Sequence, residues 1–165
     1  MWYNIGMEIS NSAKLKGRYR FRVYNSLTGE LKRTTPWTEN LIVSSDGHGL
    51  NLITRALTGE NTYPLEITQA KIGTGTNSPD LTDTDLQTVV LDGIAKSNQS
   101  ISNNTCTLEF FISDLELAND TYTEFGLFAG DQLFARSLIS PTFTKSANED
   151  ATCDYEITFT SEEES

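Results

Sequence analysis

Residues 152–160 read Thr-Cys-Asp-Tyr-Glu-Ile-Thr-Phe-Thr, a strict alternation of polar and apolar side chains. Successive side chains of a strand point to opposite faces, so Cys153, Tyr155, Ile157 and Phe159 share one face and Asp154, Glu156 and the threonines the other. A helix would scatter the same residues around its circumference. The pattern returns at 18–24, where Tyr19, Phe21 and Val23 alternate with Arg18, Arg20 and Arg22. It returns again at 104–112, with Cys106, Leu108, Phe110 and Ile112 on one side. Three such segments require a sheet with one buried face.

The rest of the chain agrees. Ser, Thr and Asn supply 49 of 165 residues; Thr favours strands, and Ser and Asn favour turns. The Asn25–Glu30 segment has turn chemistry, and a second strand over 31–39 should lie at an edge or break at Pro36, which lacks an amide donor. Leu41, Ile42 and Val43 form a short buried run. Asp46-Gly47-His48-Gly49 then opens one helix of about ten residues, with Leu50, Ile53 and Leu57 at helical spacing and Gly59 to close it. Residues 67–72 form a strand, 73–80 a loop, and 86–91 fit a strand or a short helix. Residues 121–128 and 132–139 flank Ala129-Gly130-Asp131 as a hairpin. No repeat and no strand–helix alternation appears. The expected fold is all-β, an antiparallel, jelly-roll-like β-sandwich of seven to eight strands with one short helix. It divides into an N-terminal arm (1–17), the β-domain (18–160) and an acidic tail (161–165). The arm carries Trp2, Tyr3, Ile5, Met7 and Ile9 and suits either an added strand or a frayed end.

Charge narrows the partners. The net charge is −11, which repels phosphate backbones and anionic lipid, so neither nucleic acid nor a membrane is expected as a partner. No run approaches a membrane span, and the first residues lack the basic-then-apolar order of a signal peptide. A soluble product made inside the cell is expected. Two cysteines set no disulfide framework.

Few residues suggest chemistry. Gly73-Thr74-Gly75-Thr76 follows a strand, but Asn77-Ser78-Pro79 replaces the Lys-Ser/Thr of a phosphate loop, and the dinucleotide glycine spacing fails at Ser78. A structural loop is expected. Asp80, Asp83 and Asp85 crowd one segment without EF-hand spacing, and no metal or other cofactor is expected. His48, the sole histidine, would have to be the base of any triad, yet it sits between glycines at a helix start. Cys106 and Cys153 lie on apolar faces, as buried inert thiols do. No enzyme is expected. Arg18, Arg20 and Arg22 on one strand face are read either as a solvated face or as a seam to an acidic partner surface. Trp2, Trp37 and Tyr63 are the aromatics that a carbohydrate-binding surface would use.

Several blocks occur in a characteristic order. A strand, a Leu27-Thr28-Gly29-Glu30 turn and a second strand lead to Glu39-Asn40-Leu41-Ile42 and a Gly49-Leu50 helix start. Ile72-Gly73-Thr74-Gly75-Thr76, Pro79 and Thr82-Asp83-Thr84-Asp85-Leu86 follow. Then come Glu124-Phe125-Gly126-Leu127-Phe128, Gly130, Leu133-Phe134-Ala135-Arg136, Pro141 and Thr144-Lys145. Over residues 18–160 this order resembles small virion structural proteins of tailed bacteriophages, including the N-terminal module of tail-collar fibre proteins. The resemblance implies scaffold roles: Gly126 permitting a close approach, Glu124 orienting loop amides, Lys145 pairing with an acid. It implies a virion protein made in the host cytoplasm and placed at the tail, neck or fibre attachment. Its partners would be other virion proteins and copies of itself, as a homotrimer. Capsid decoration is the alternative within the class, and a carbohydrate-binding module the alternative outside it. The expected contact elements are Arg18, Arg20, Arg22, Trp2, Tyr3 and Trp37.

Overall fold

A computed structural model describes residues 11–163. The elements run β1 (Asn11–Asn25), β2 (Leu31–Thr34), β3 (Thr38–Ile42), α1 (Leu50–Leu57), β4 (Gln69–Gly73), β5 (Val89–Ser102), β6 (Thr105–Ile112), β7 (Thr121–Ala129), β8 (Gln132–Thr144) and β9 (Glu149–Glu163). The all-β class, the antiparallel pairing and the single short helix are as expected. Trp2 and Tyr3 lie outside the described residues.

The strands do not stand as two separate sheets. Eight of them close in the order β1-β3-β8-β7-β4-β5-β6-β9 and back to β1, with β2 as an extra strand on the edge of β1 beyond β3. The sandwich expectation is therefore corrected to a closed antiparallel barrel of eight strands with one extra strand, nine among the described residues. The closing seam is long: β1 and β9 pair from Asn11↔Glu163 to Asn25↔Glu149. Residues 11–17 and 161–163 thus continue the ladder. Two strands turn the corners by changing partner midway, as strands do where a sheet folds over. β3 pairs with β1 through Thr38–Asn40 and with β8 through Leu41 and Ile42. β5 pairs with β4 up to Ala95 and with β6 from Lys96 onward, with a bulge between Lys96 and Asn98.

Pro36 falls in the gap between β2 and β3, where its missing donor costs nothing. The ambiguous 86–91 segment leads into β5. The helix is shorter than expected and buries a different residue. Leu52 is fully buried, whereas Leu50 and Leu57 are exposed, because Leu50 N–H and Gly49 N–H are tied to the carbonyls of Val43 and Leu133 and set the rotation of the first turn.

Inward residues of each strand fill the barrel. Tyr19, Phe21 and Val23 of β1 meet Phe125 of β7, Phe143 of β8 and Cys153 and Tyr155 of β9. The rings stack closely, with 4.5 Å between the centroids of Phe21 and Phe143 and 5.2 Å between Tyr19 and Phe125. A second, smaller cluster of Val43, Leu86, Phe128 and Leu133 lies on the outer side of β7 and β8. β7 is therefore buried on both faces, and the cover on its outer face is the 74–88 segment. No helix among the described residues is long and apolar enough to cross a membrane.

Candidate functional site

Glu124 projects from β7 on the face opposite Phe125 and Leu127, and it is completely buried. A carboxylate in that position must find donors in the protein. It finds five. Oε1 accepts the amides of Gly75 at 2.9 Å and Thr88 at 2.6 Å, and Oε2 accepts the amide of Gln87 at 3.0 Å. Oε2 also accepts Nη2 of Arg136 at 2.9 Å and Nε at 3.2 Å. Arg136 comes from β8, paired with Gly126 of β7. Its buried guanidinium goes on to Asp83 Oδ2 at 2.7 Å and the carbonyl of Asn77 at 3.1 Å. Burial pushes the Glu124 carboxyl up, but the amides of Thr88 and Gln87, Arg136 and the Gly75 amide outweigh it and hold the group below its ordinary range.

This node straps the 74–88 segment to the barrel, and the glycines are what let the strap lie flat. A Cβ at Gly75 would collide with Glu124 Oε1, and one at Gly73 with the carbonyl of Thr88. A Cβ at Gly126 would come within 2.7 Å of Leu86 Cδ2, so the missing side chain gives Leu86 its seat. The Gly-Thr-Gly segment resembles an anion-binding loop for a physical reason: it does bind an anion, and that anion is the chain's own carboxylate.

The aspartates of the same segment are spread over separate tasks. Asp80 accepts from the amide and hydroxyl of Thr82, Asp83 from Arg136, and Asp85 from Lys71 at 3.4 Å. No group of three or more His, Cys, Asp or Glu side chains among the described residues could hold a metal ion. His48 makes backbone bonds in the turn before α1: its amide goes to Ser45, and its carbonyl accepts from Asn51. Both cysteines are free thiols. Cys153 is fully buried, and burial raises its thiol well above the ordinary value. Cys106 is only half-buried, which corrects the reading of both as core thiols.

The arginine row of β1 is matched within the chain. Arg18 pairs with Glu156 at 2.6 Å, Arg20 with Asp154 at 2.9 Å, and Arg22 with Asp154 at 2.6 Å and Glu109 at 3.3 Å. The acids are the outward residues of β9 and β6, set opposite by the closing register. Trp37 lies over the row, with the Arg18 and Arg20 guanidinium carbons 4.5 and 4.6 Å from its ring centroid. Tyr63 is similarly engaged by Arg55 at 5.4 Å.

A third polar centre ties the β8–β9 turn; its Glu149 was missed in the sequence, whereas Lys145 pairs with an acid as expected. Buried Glu149 accepts Lys32 Nζ and Arg33 Nη1 at 2.6 Å each and Arg33 Nη2 at 2.9 Å. Lys145, also buried, donates to Asp114 at 2.6 Å. Arg136 was missed as well: a lone arginine in an apolar strand carries no spacing signal until its partner at Glu124 is known.

No family model, curated protein or solved structure matches this chain.

Proposed function

We propose that this chain is a non-enzymatic structural protein of a tailed-bacteriophage particle, acting at the tail, neck or fibre attachment through contacts with neighbouring subunits and with copies of itself. One observation supports the reading more than any other. The blocks that carry the sequence resemblance, Ile72–Thr76 and Thr82–Leu86 in one stretch and Glu124–Phe128 and Leu133–Arg136 in another, meet at one buried node. Their polar groups are occupied by one another. A pattern spent in this way serves to hold a rigid scaffold, which is what an assembly module needs.

The outer β1–β9 face, with Trp37 across Arg18, Arg20 and Arg22, is the contact surface we favour among the described residues. Its charges are already balanced, so docking there would rely on shape and the Trp37 ring more than on net attraction. Capsid decoration would use the same scaffold and differs in copy number. The carbohydrate-binding alternative is disfavoured, since Trp37 and Tyr63 already carry the chain's own guanidiniums.

Quantitative mass spectrometry of purified particles tests the proposal. The chain is expected in the particle at a fixed ratio, far below that of the shell protein. A ratio near that of the shell protein would move it to decoration. Absence from washed particles would refute both.

A further inference from the structure

The described residues leave one end of the barrel partly open. A cleft of about 290 Å³ opens there between α1, the β5–β6 corner and the far end of β9. Its walls are apolar: Ile53, Leu108, Phe134, Ile157 and Phe159. Phe159 stands at its mouth, 47% exposed. Two further hollows adjoin the cleft through the same Phe159 ring.

Polar residues stand where the alternation calls for aliphatic ones. Ile94 of β5 points inward and is buried, and Lys96, two residues on, takes the same face. The bulge after Lys96 then sets Gln99 opposite inward-facing Leu108. Lys96 and Gln99 both line the cleft. The Lys96 side chain is only 15% exposed, and its acid partner, Glu66 at 2.9 Å, is 70% exposed. A mostly solvated carboxylate is a weak counter-ion for an ammonium held against an apolar wall. The ammonium is also near enough to Cys106, on the same wall, to oppose the burial that raises that thiol. An apolar slot with one shielded cation at its side fits a ligand with an aliphatic tail and a single anionic head. An eight-stranded barrel has room for one small guest of this kind at its mouth.

We propose that this end of the barrel binds a single-chain aliphatic carboxylate, its tail among Ile53, Leu108, Phe134, Ile157 and Phe159 and its head on Lys96 in place of Glu66. This goes beyond the assembly reading and does not depend on it.

Calorimetric titration with dodecanoate, kept below its micelle concentration, provides the test, with dodecanol as the uncharged control. The intact chain is expected to bind dodecanoate saturably at one site. Lys96→Met is expected to weaken dodecanoate by about tenfold or more while leaving dodecanol unchanged. Leu65→Trp, at the exposed rim, should weaken both without touching the barrel core. Alkylation supplies an independent readout in the native chain: Cys153 is sealed, so iodoacetamide reports on Cys106, and dodecanoate should slow it. No saturable binding, equal dodecanoate affinity in Lys96→Met, or unchanged alkylation would overturn the proposal. So would self-association of the intact chain that dodecanoate leaves alone and Phe159→Asp abolishes, because a second copy would then fill the cleft.

Discussion

Glu124→Ala is expected to destabilise the protein by about 3–5 kcal/mol, the usual cost of breaking a buried ion pair by removing one partner. The substitution leaves the Arg136 guanidinium, which is 3% exposed, with Asp83 as its remaining acid partner, and it frees the amides of Gly75, Gln87 and Thr88 in a buried setting. Whole domains hold only about 5–15 kcal/mol, so this one side chain commands a large share of the total. Urea unfolding followed by tryptophan fluorescence measures it. Limited proteolysis should show the first cleavage moving into residues 74–88, the segment that loses its strap. Glu124→Ala combined with Arg136→Met should recover part of the loss, since it removes a buried guanidinium that has lost its buried carboxylate. A loss under about 1 kcal/mol for Glu124→Ala would mean that the node is incidental.

Acid is the second large lever. Arg33 holds the Glu149 carboxyl down to about 2, against the opposing effect of burial and with help from Lys32 and the Ser146 amide. A carboxyl whose folded value lies below its unfolded one binds more protons when unfolded. Its contribution is therefore complete above the unfolded value, near pH 4.5, and drains away as the pH falls toward 2. Arg33 and Lys32 are partly exposed, so screening trims the gain to on the order of 2–3 kcal/mol. Thermal melts between pH 6 and pH 2.5 should show the intact chain falling steeply below about pH 4.5. Glu149→Gln should start lower and fall less. Parallel curves for the two proteins would show that Glu149 is not the group responsible.

The sequence disclosed strands wherever one face is sealed and the other wet. Residues 18–24, 104–112 and 152–160 alternate cleanly because Tyr19, Phe110 and Tyr155 point into the barrel while Arg20, Glu109 and Asp154 point out. Most of β5 stayed hidden for the converse reason: of residues 89–102, only Ile94 is fully buried, so no period emerges. The barrel closure was hidden too. β1 and β9 come from opposite ends of the chain, and a period within each strand does not name its neighbour. A clue existed in the charges, since outward positions are basic at 18, 20 and 22 and acidic at 154 and 156. The matching of Arg18 to Glu156 and Arg20 to Asp154 is the closing register itself. The helix was placed correctly and rotated wrongly, because tethers at Gly49 and Leu50 decided which side faced the core.

The candidate site was half visible. Glu124, the paired glycines and Gly126 stood out as a pattern, and their roles as amide acceptor and close-approach points are those the structure displays. Arg136 and Glu149 did not stand out, since an ion pair spanning several strands leaves no local spacing. The cleft beside Phe159 was hidden because Lys96 reads as an ordinary solvated residue until Ile94 is known to point inward, and because the β5 bulge that sets Gln99 opposite Leu108 leaves no mark in the sequence.

The amides of Gly75, Gln87 and Thr88 already hold an anion, the Glu124 carboxylate, and so serve the scaffold. Amide hydrogen exchange resolved at Gly75, Gln87 and Thr88, with and without inorganic phosphate, tests it directly. Exchange is expected to be as slow as in the β7–β8 ladder, with no response to phosphate. Rapid exchange at these amides, or marked slowing when phosphate is added, would show an open anion site and contradict that scaffold role.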